Sequence, residues 1–229
     1  MLTLEDVIPL HLADWTAPDT HPLRGQQGQM FAFAIRHPAG LVLFETGFGR
    51  DSERIDQLYR VVHRPIEIEL GRHAFAPDDV RAIVNSHLHF DHCGNNALFP
   101  GVPIYVQTDE YRAAHEPNYT VQRWVDFPNA DYRQIEGDKE IAPALKILST
   151  RGHTPGHQAL LVETSSGPIV LAGQAIYCRA EYEYIRDTGK LMPEYLTGDE
   201  ENYLASAQRL LRLAARRVFF SHDSAVYEP

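Results

Sequence analysis

Three imidazoles and one carboxylate fall within six residues at Ser86-His87-Leu88-His89-Phe90-Asp91-His92. Histidine is the commonest metal ligand, and a neighbouring carboxylate adds an anionic oxygen donor. The stretch follows Ala82–Asn85, a short apolar run with the pattern of a buried strand. Side chains alternate along an extended chain, so His87 and His89 can point one way while Leu88 points back into the core. The turn that follows then presents Asp91 and His92 to a neighbouring point. Four such groups crowd a single small cation. Two adjacent sites accommodate them, and two metals about 3.5–4 Å apart are a known hydrolytic arrangement. Read instead as incidental core histidines, the segment would bury polar groups at a costly density.

Two further histidine segments supply more donors. Gly152-His153-Thr154-Pro155-Gly156-His157 follows the strand pattern Ala144–Ser149, and His222-Asp223 follows Val218–Phe220. In each, a His leaves a strand for a loop, as His87 does. Histidine is also abundant overall, 12 of 229 residues, which fits clustering at a common centre. Imidazoles clustered with a carboxylate suit zinc, with iron, manganese or cobalt also compatible. Cys93 adjoins His92 and reads as a small packing residue at the start of the following helix.

The elements that must position these groups are mixed α/β. Met30–Arg36 and Gly40–Glu45 read as two strands joined by a tight turn at His37-Pro38-Ala39. Asp51–His63 carries Ile55, Leu58, Tyr59 and Val62 at helical spacing. Val102–Val106 reads as a strand, followed by a helix that Thr108 would cap, with Asp109 and Glu110 in its first turn. Gln158–Thr164 and Pro168–Ala172 read as a hairpin closed at Ser165-Ser166-Gly167. Asp199–Arg216 is the clearest helix, with Asp199 as its cap. Gly94-Asn95-Asn96 supplies a sharp turn into a helix. A weak repeat joins the halves: LVLFETG, a helix, and a strand ending at Ser86-His87 parallel IVLAGQ, a helix, and a strand ending at Ser221-His222. Two such halves imply two sheets packed face to face with helices outside. Polar residues then gather beyond the strand ends, where α/β sheets form their sites.

HLHFDH, TRGHTPGH, the strand-end Gln174 and FFSHD together resemble the metallo-β-lactamase superfamily, and within it the N-acyl-homoserine lactone lactonases, which quench quorum signals. The FETG segment, GHTPGHQALLVET, Tyr177 three residues after Gln174, and YCRAEYE extend the likeness from about Met30 to Asp223. The resemblance implies an αββα sandwich, with residues 1–229 as one domain. It implies one metal on His87, His89 and His153 and another on Asp91, His92 and His222. Glu45 (where the family usually has Asp) and His157 would stand behind these ligands and orient them. The implied reaction opens a lactone with hydroxide generated from water at the metals. Tyr177 would donate its phenol to the substrate carbonyl, and Asp91 would also relay a proton. Phe90, Met30 and Phe31 are candidates for an apolar groove holding an acyl tail.

Gln174 departs from the family, which has at this position an Asp whose carboxylate bridges both metals. An amide is neutral and offers one oxygen, so two sites of unequal affinity are expected. The alternative is that Glu45, one methylene longer than Asp, reaches in and restores charge. Other readings are a hydrolase of the same fold acting on a thioester, ester, β-lactam or phosphodiester, a mononuclear iron oxidoreductase, and a catalytically weakened metal-binding homologue.

Lys+Arg 21 against Asp+Glu 31 gives a net charge of -10. That disfavours nucleic acid as a partner, a nuclease included. No apolar run approaches the ~20 residues of a membrane span. The opening MLTLEDVIPLHLADW lacks a basic region and a long apolar stretch, and Cys93 and Cys178 form no disulfide framework. A cytoplasmic enzyme acting on a small lactone is the expectation, and it is compatible with a homodimer.

Overall fold

The computed structural model describes residues 1–195 and 198–229. Seven strands form the first sheet: β1 (Val7–Thr16), β2 (Gln27–His37), β3 (Gly40–Phe44), β4 (Val62–His63), β5 (Val80–Val84), β6 (Pro103–Gln107) and β7 (Asp131–Ile135). Six form the second: β8 (Lys139–Ala142), β9 (Leu145–Ser149), β10 (Gln158–Val162), β11 (Ile169–Leu171), β12 (Arg217–Phe220) and β13 (Asp223–Tyr227). Their spatial orders are β4-β1-β2-β3-β5-β6-β7 and β13-β12-β11-β10-β9-β8. Both sheets are mixed. The pairs β3–β5 and β11–β12 are parallel, which gives the sequence repeat its structural counterpart.

Alternation along the strands builds the layers. Phe33, Ile35, Val42 and Phe44 turn inward and meet Ile147, Leu160, Val162 and Leu171 of the other sheet. The residues between them, Ala32, Ala34, Leu41 and Leu43, face outward onto α2 (Ile66–Arg72) through Ile66 and Leu70. On the second sheet Ala159, Leu161, Val170 and Phe220 face α5 (Arg179–Thr188) and α6 (Glu200–Leu211) through Tyr182, Ile185, Ala207 and Leu210. Each large side chain buried this way contributes about 1.5–3 kcal/mol. A one-residue slip would send the inward set outward, so register is tightly fixed. The result is the expected αββα sandwich.

Several boundaries differ from expectation. The helix expected over Asp51–His63 is α1 (Glu53–Tyr59). Arg60 adopts a left-handed φ of 48° and donates its N–H to Asp56 O, closing the helix. Val62–His63 then pairs with β1 at the sheet edge, as suits a β-branched residue. Thr108 is the first residue of α4 (Thr108–Ala113), not its cap, and its hydroxyl donates to Ile135 O. Asp199 does cap α6, accepting from the N–H of Asn202 at 3.1 Å, but the helix ends at Leu211. Gly94 follows the short helix α3 (Phe90–Cys93), and Asn96–Leu98 is a single 3-10 turn. A Cβ on Gly94 would lie 1.9 Å from Gly49 N, so only glycine lets these two segments touch.

Candidate metal centre

Five strand ends deliver the site. Beyond β5 the chain passes through Asn85–His89, bending at Ser86 and His89, into α3, which holds Asp91 and His92 on one turn. Leu88 turns into the core as expected. Beyond β9 lies the loop with His153 and His157, beyond β12 the tight corner with His222, beyond β3 Glu45, and beyond β11 Gln174. Glu45 has a φ of 69°, unusual for a residue with a side chain, and this turns its carboxylate beneath the site.

Two donor triads converge. His87 Nε2 lies 3.0 Å from His89 Nδ1, and His153 Nε2 lies 3.3 Å from the same atom. His92 Nε2 lies 3.2 Å from His222 Nε2, and Asp91 Oδ2 lies 3.6 Å from each. Within each triad all donor atoms fall within 4.8 Å of one another. The groups behind them fix the rings. His92 Nδ1 donates to Glu45 Oε1 at 3.0 Å, and His222 Nδ1 donates to Gln29 O at 3.0 Å. With those protons engaged, both Nε2 lone pairs face each other and Asp91. Electron pairs so arranged repel one another unless a positive centre sits among them. The donor set therefore fits divalent cations.

The charge states of four imidazoles agree. Burial drives His87 and His153 well below the usual imidazole range, and neighbouring imidazoles add to it. Burial likewise brings His89 and His222 down to about 4. All four are thus neutral, metal-competent bases at pH 7. Burial also acts on His92, but the Asp91 and Glu45 carboxylates outweigh it and hold that imidazole above its usual value. Burial pushes Asp91 up, and the imidazoles of His92, His222 and His89 overcome that and keep it ionised.

Glu45 is buried and bonds His92, Ser86 N and the Ser221 hydroxyl. It therefore stands behind His92 rather than among the donors of either triad. His157 Nε2 accepts from Gln174 N–H at 2.9 Å, and its Nδ1 donates to Thr150 Oγ1 at 2.9 Å. The Gln174 side chain lies beside His92 and helps raise its imidazole, so the amide leans toward the second triad. Cys93 is buried, with Sγ on Leu88 O.

Above the triads opens a cavity of about 220 Å³, bordered by His89, Asp91, His153, Gln174 and His222. Phe90 and Tyr177 are on its wall. Tyr177 stacks on His222 with ring centroids 4.8 Å apart, and burial raises its phenol, so the O–H is retained. Met30 and Phe31 do not border the cavity. Met30 packs beneath it with Trp15 and Phe48, and Phe31 turns to the inter-sheet core, where His11 stacks on it. Their apolar character serves packing. Sequence reasoning missed Trp15, His21, Phe48, Tyr59 and Tyr119, all on the wall. It also missed the buried Glu110. This carboxylate accepts from Leu88 N and Thr154 Oγ1 at 2.8 and 2.6 Å, from the Tyr119 hydroxyl, and from the backbone at Gly156. It ties the His87–His89 segment to the His153 loop. A helix's first turn gave it a ready bland explanation, and no local motif marks its role.

Comparison with known proteins follows the same lines. Residues 25–222 match the sequence profile of the Metallo-beta-lactamase superfamily. The chain is 40% identical over 158 residues to an N-acyl homoserine lactonase of a Bacillus sp, covering 67% of this chain and 60% of that protein. It is 39% identical over 159 residues to the N-acyl homoserine lactonase AiiA of Bacillus thuringiensis subsp. kurstaki, with the same coverage. The chain thus spans about 60% of the length of these curated relatives. Among solved structures, a quorum-quenching N-acyl homoserine lactone lactonase superposes with a TM-score of 0.78 at 28% identity, covering 97% of this chain and 94% of that one. An N-acyl homoserine lactone hydrolase with the product N-hexanoyl-L-homoserine at its catalytic metal center gives 0.77 at 27% identity, covering 97% and 95%.

Proposed function

The chain belongs to the metallo-beta-lactamase superfamily, and on that footing we propose that it is a metal-dependent hydrolase opening the lactone ring of N-acyl-homoserine lactones. The observation that carries this reading is the pair of donor triads at the floor of a cavity with Tyr177 on its wall. The likeness to N-acyl homoserine lactonases supports the lactone as substrate. His87, His89 and His153 would hold one divalent ion, and Asp91, His92 and His222 the other, with Gln174 adding a neutral oxygen. Zinc is the first choice for an imidazole-rich site, with manganese, cobalt and iron as alternatives. When bound, such ions acidify water and polarise an ester carbonyl.

The chain's own residues do the rest. Tyr177 keeps its proton at neutral pH and donates it as a hydrogen bond to the carbonyl oxygen as charge develops there. His222 beneath the ring and Tyr195, stacked at 4.7 Å, hold the phenol in place. Asp91 passes a proton at its carboxylate oxygen between attacking water and the departing ring oxygen. The aromatic wall of Trp15, Phe48 and Phe90 excludes water beside the ester. Among the described residues no helix is long and apolar enough to cross a membrane. Cys93 and Cys178 are both free, in keeping with the reducing cytoplasm, which we include in the proposal.

A pH-drop assay on lactones, linear esters, thioesters and β-lactams, run with zinc, manganese, cobalt and iron in turn, tests the reading. Fastest turnover on an acyl-homoserine lactone is expected. A thioester or β-lactam opened faster than every lactone would overturn it.

A further inference from the structure

Two hydrogen-bond donors on the cavity wall have no part in the chemistry above. His21 sits in the loop between β1 and β2, held by turn bonds from its N–H to Pro18 O and from Arg24 N–H to its carbonyl. The N–H of Leu23 donates to His21 Nδ1 at 3.0 Å, so the neutral ring carries its proton on Nε2. Tyr59 is the last residue of α1. The two rings meet edge to face at 6.4 Å, and each stands edge-on to Trp15, at 5.9 and 6.1 Å. Both feel the Asp91 carboxylate, which places them on the side of the second triad. Neither the Nε2–H nor the phenol O–H is hydrogen-bonded to any described residue.

The rest of that wall is Trp15, Phe48 and Phe90. A plain hydrocarbon pressed there would strip water from two donors and offer nothing in return, which is unfavourable. The cavity, at about 220 Å³, is smaller than the roughly 300–1,000 Å³ of most small-molecule sites. It therefore takes the lactone ring and the first atoms of a tail, and leaves the remainder outside. A tail laid along that wall would bring the atoms nearest its amide against His21 and Tyr59.

We propose that His21 and Tyr59 form a polar subsite selecting acyl tails with an oxygen acceptor close to the amide, an oxo or hydroxyl group, over plain hydrocarbon tails of equal length. This rests on the lactone reading given above. The test measures kcat/KM of the zinc-loaded protein on hexanoyl-, 3-oxohexanoyl- and 3-hydroxyhexanoyl-homoserine lactone. The wild type is expected to favour the oxygenated tails about five- to ten-fold, the worth of one added neutral hydrogen bond. Tyr59→Phe and His21→Phe each keep a ring and remove a donor, and each should bring that ratio toward one. A wild-type ratio of one or less, or an undiminished ratio in both variants, overturns the proposal while leaving lactone hydrolysis standing. Failure to open any of the three lactones overturns both.

Discussion

Gln174→Asp is the most informative single change. In the wild type the six donors of the two triads include one carboxylate, Asp91. The next nearest acid, Glu45, stands behind His92. Both negative charges therefore belong to the second triad, while the first consists of three neutral imidazoles. The second triad should fill first, and a second ion should enter against the charge of the one already bound. An aspartate at 174 would place a negative charge toward both triads. One unit charge acting on another at 4 Å contributes about 4 kcal/mol at an effective dielectric of 20, and more against a divalent ion. Desolvation of the new carboxylate offsets much of this. About 2–4 kcal/mol at the weaker site is a reasonable net, or roughly 30- to 1,000-fold in its Kd. Metal content by mass spectrometry after gel filtration, with zinc titration by calorimetry, reads this out without any substrate. One firmly held zinc per wild-type chain and two per Gln174→Asp chain are expected. Two firmly held ions in the wild type, or no gain in the variant, would refute the charge argument.

Tyr177→Phe should lower kcat roughly tenfold or more, as loss of an oxyanion donor does, with unchanged zinc content checked in the same samples. Asp91→Asn should release the ion of the second triad before that of the first, seen as loss of one site in the calorimetric titration. Glu181 is buried, and burial raises its carboxyl from 4.5 to about 7. The folded protein therefore keeps a proton that the unfolded chain has lost across that window, and stability falls as pH rises from 4.5 to 7. Glu181→Gln should remove this fall, worth up to about 3 kcal/mol; urea midpoints at pH 5 and pH 8 measure it.

The six residues of the two triads were readable because each announces itself locally. His87, His89, Asp91 and His92 share one short segment, and His153 and His222 each leave an apolar strand. The inter-sheet strands were readable for the same reason, since Phe33, Ile35, Val42 and Phe44 follow the pleat. Elements whose stabilisation comes from elsewhere were not. The α5 segment RAEYEYIRDT is mostly polar and is held by a few buried side chains, among them Tyr182 and Ile185. β1 mixes Pro9, His11 and Asp14 into its run, which blurs its alternation. The cavity wall was the least legible part. His21, Tyr59 and Tyr119 come from loops and a helix end whose meeting is set by tertiary packing. Met30 and Phe31, adjacent on one strand, necessarily part company to opposite faces.

Glu110 has a consequence for how the centre comes into being. One carboxylate latches two stretches of chain that emerge from different sheets, and each stretch bears imidazoles of the first triad. Collapse of the sandwich thus assembles the imidazoles in advance, and the incoming ion meets a finished cradle. In zinc fingers the cation must recruit its own surroundings, and stripping it dissolves the fold. Here a chelator should empty the protein without unravelling it, and reloading should be limited by diffusion and dehydration of the ion rather than by refolding.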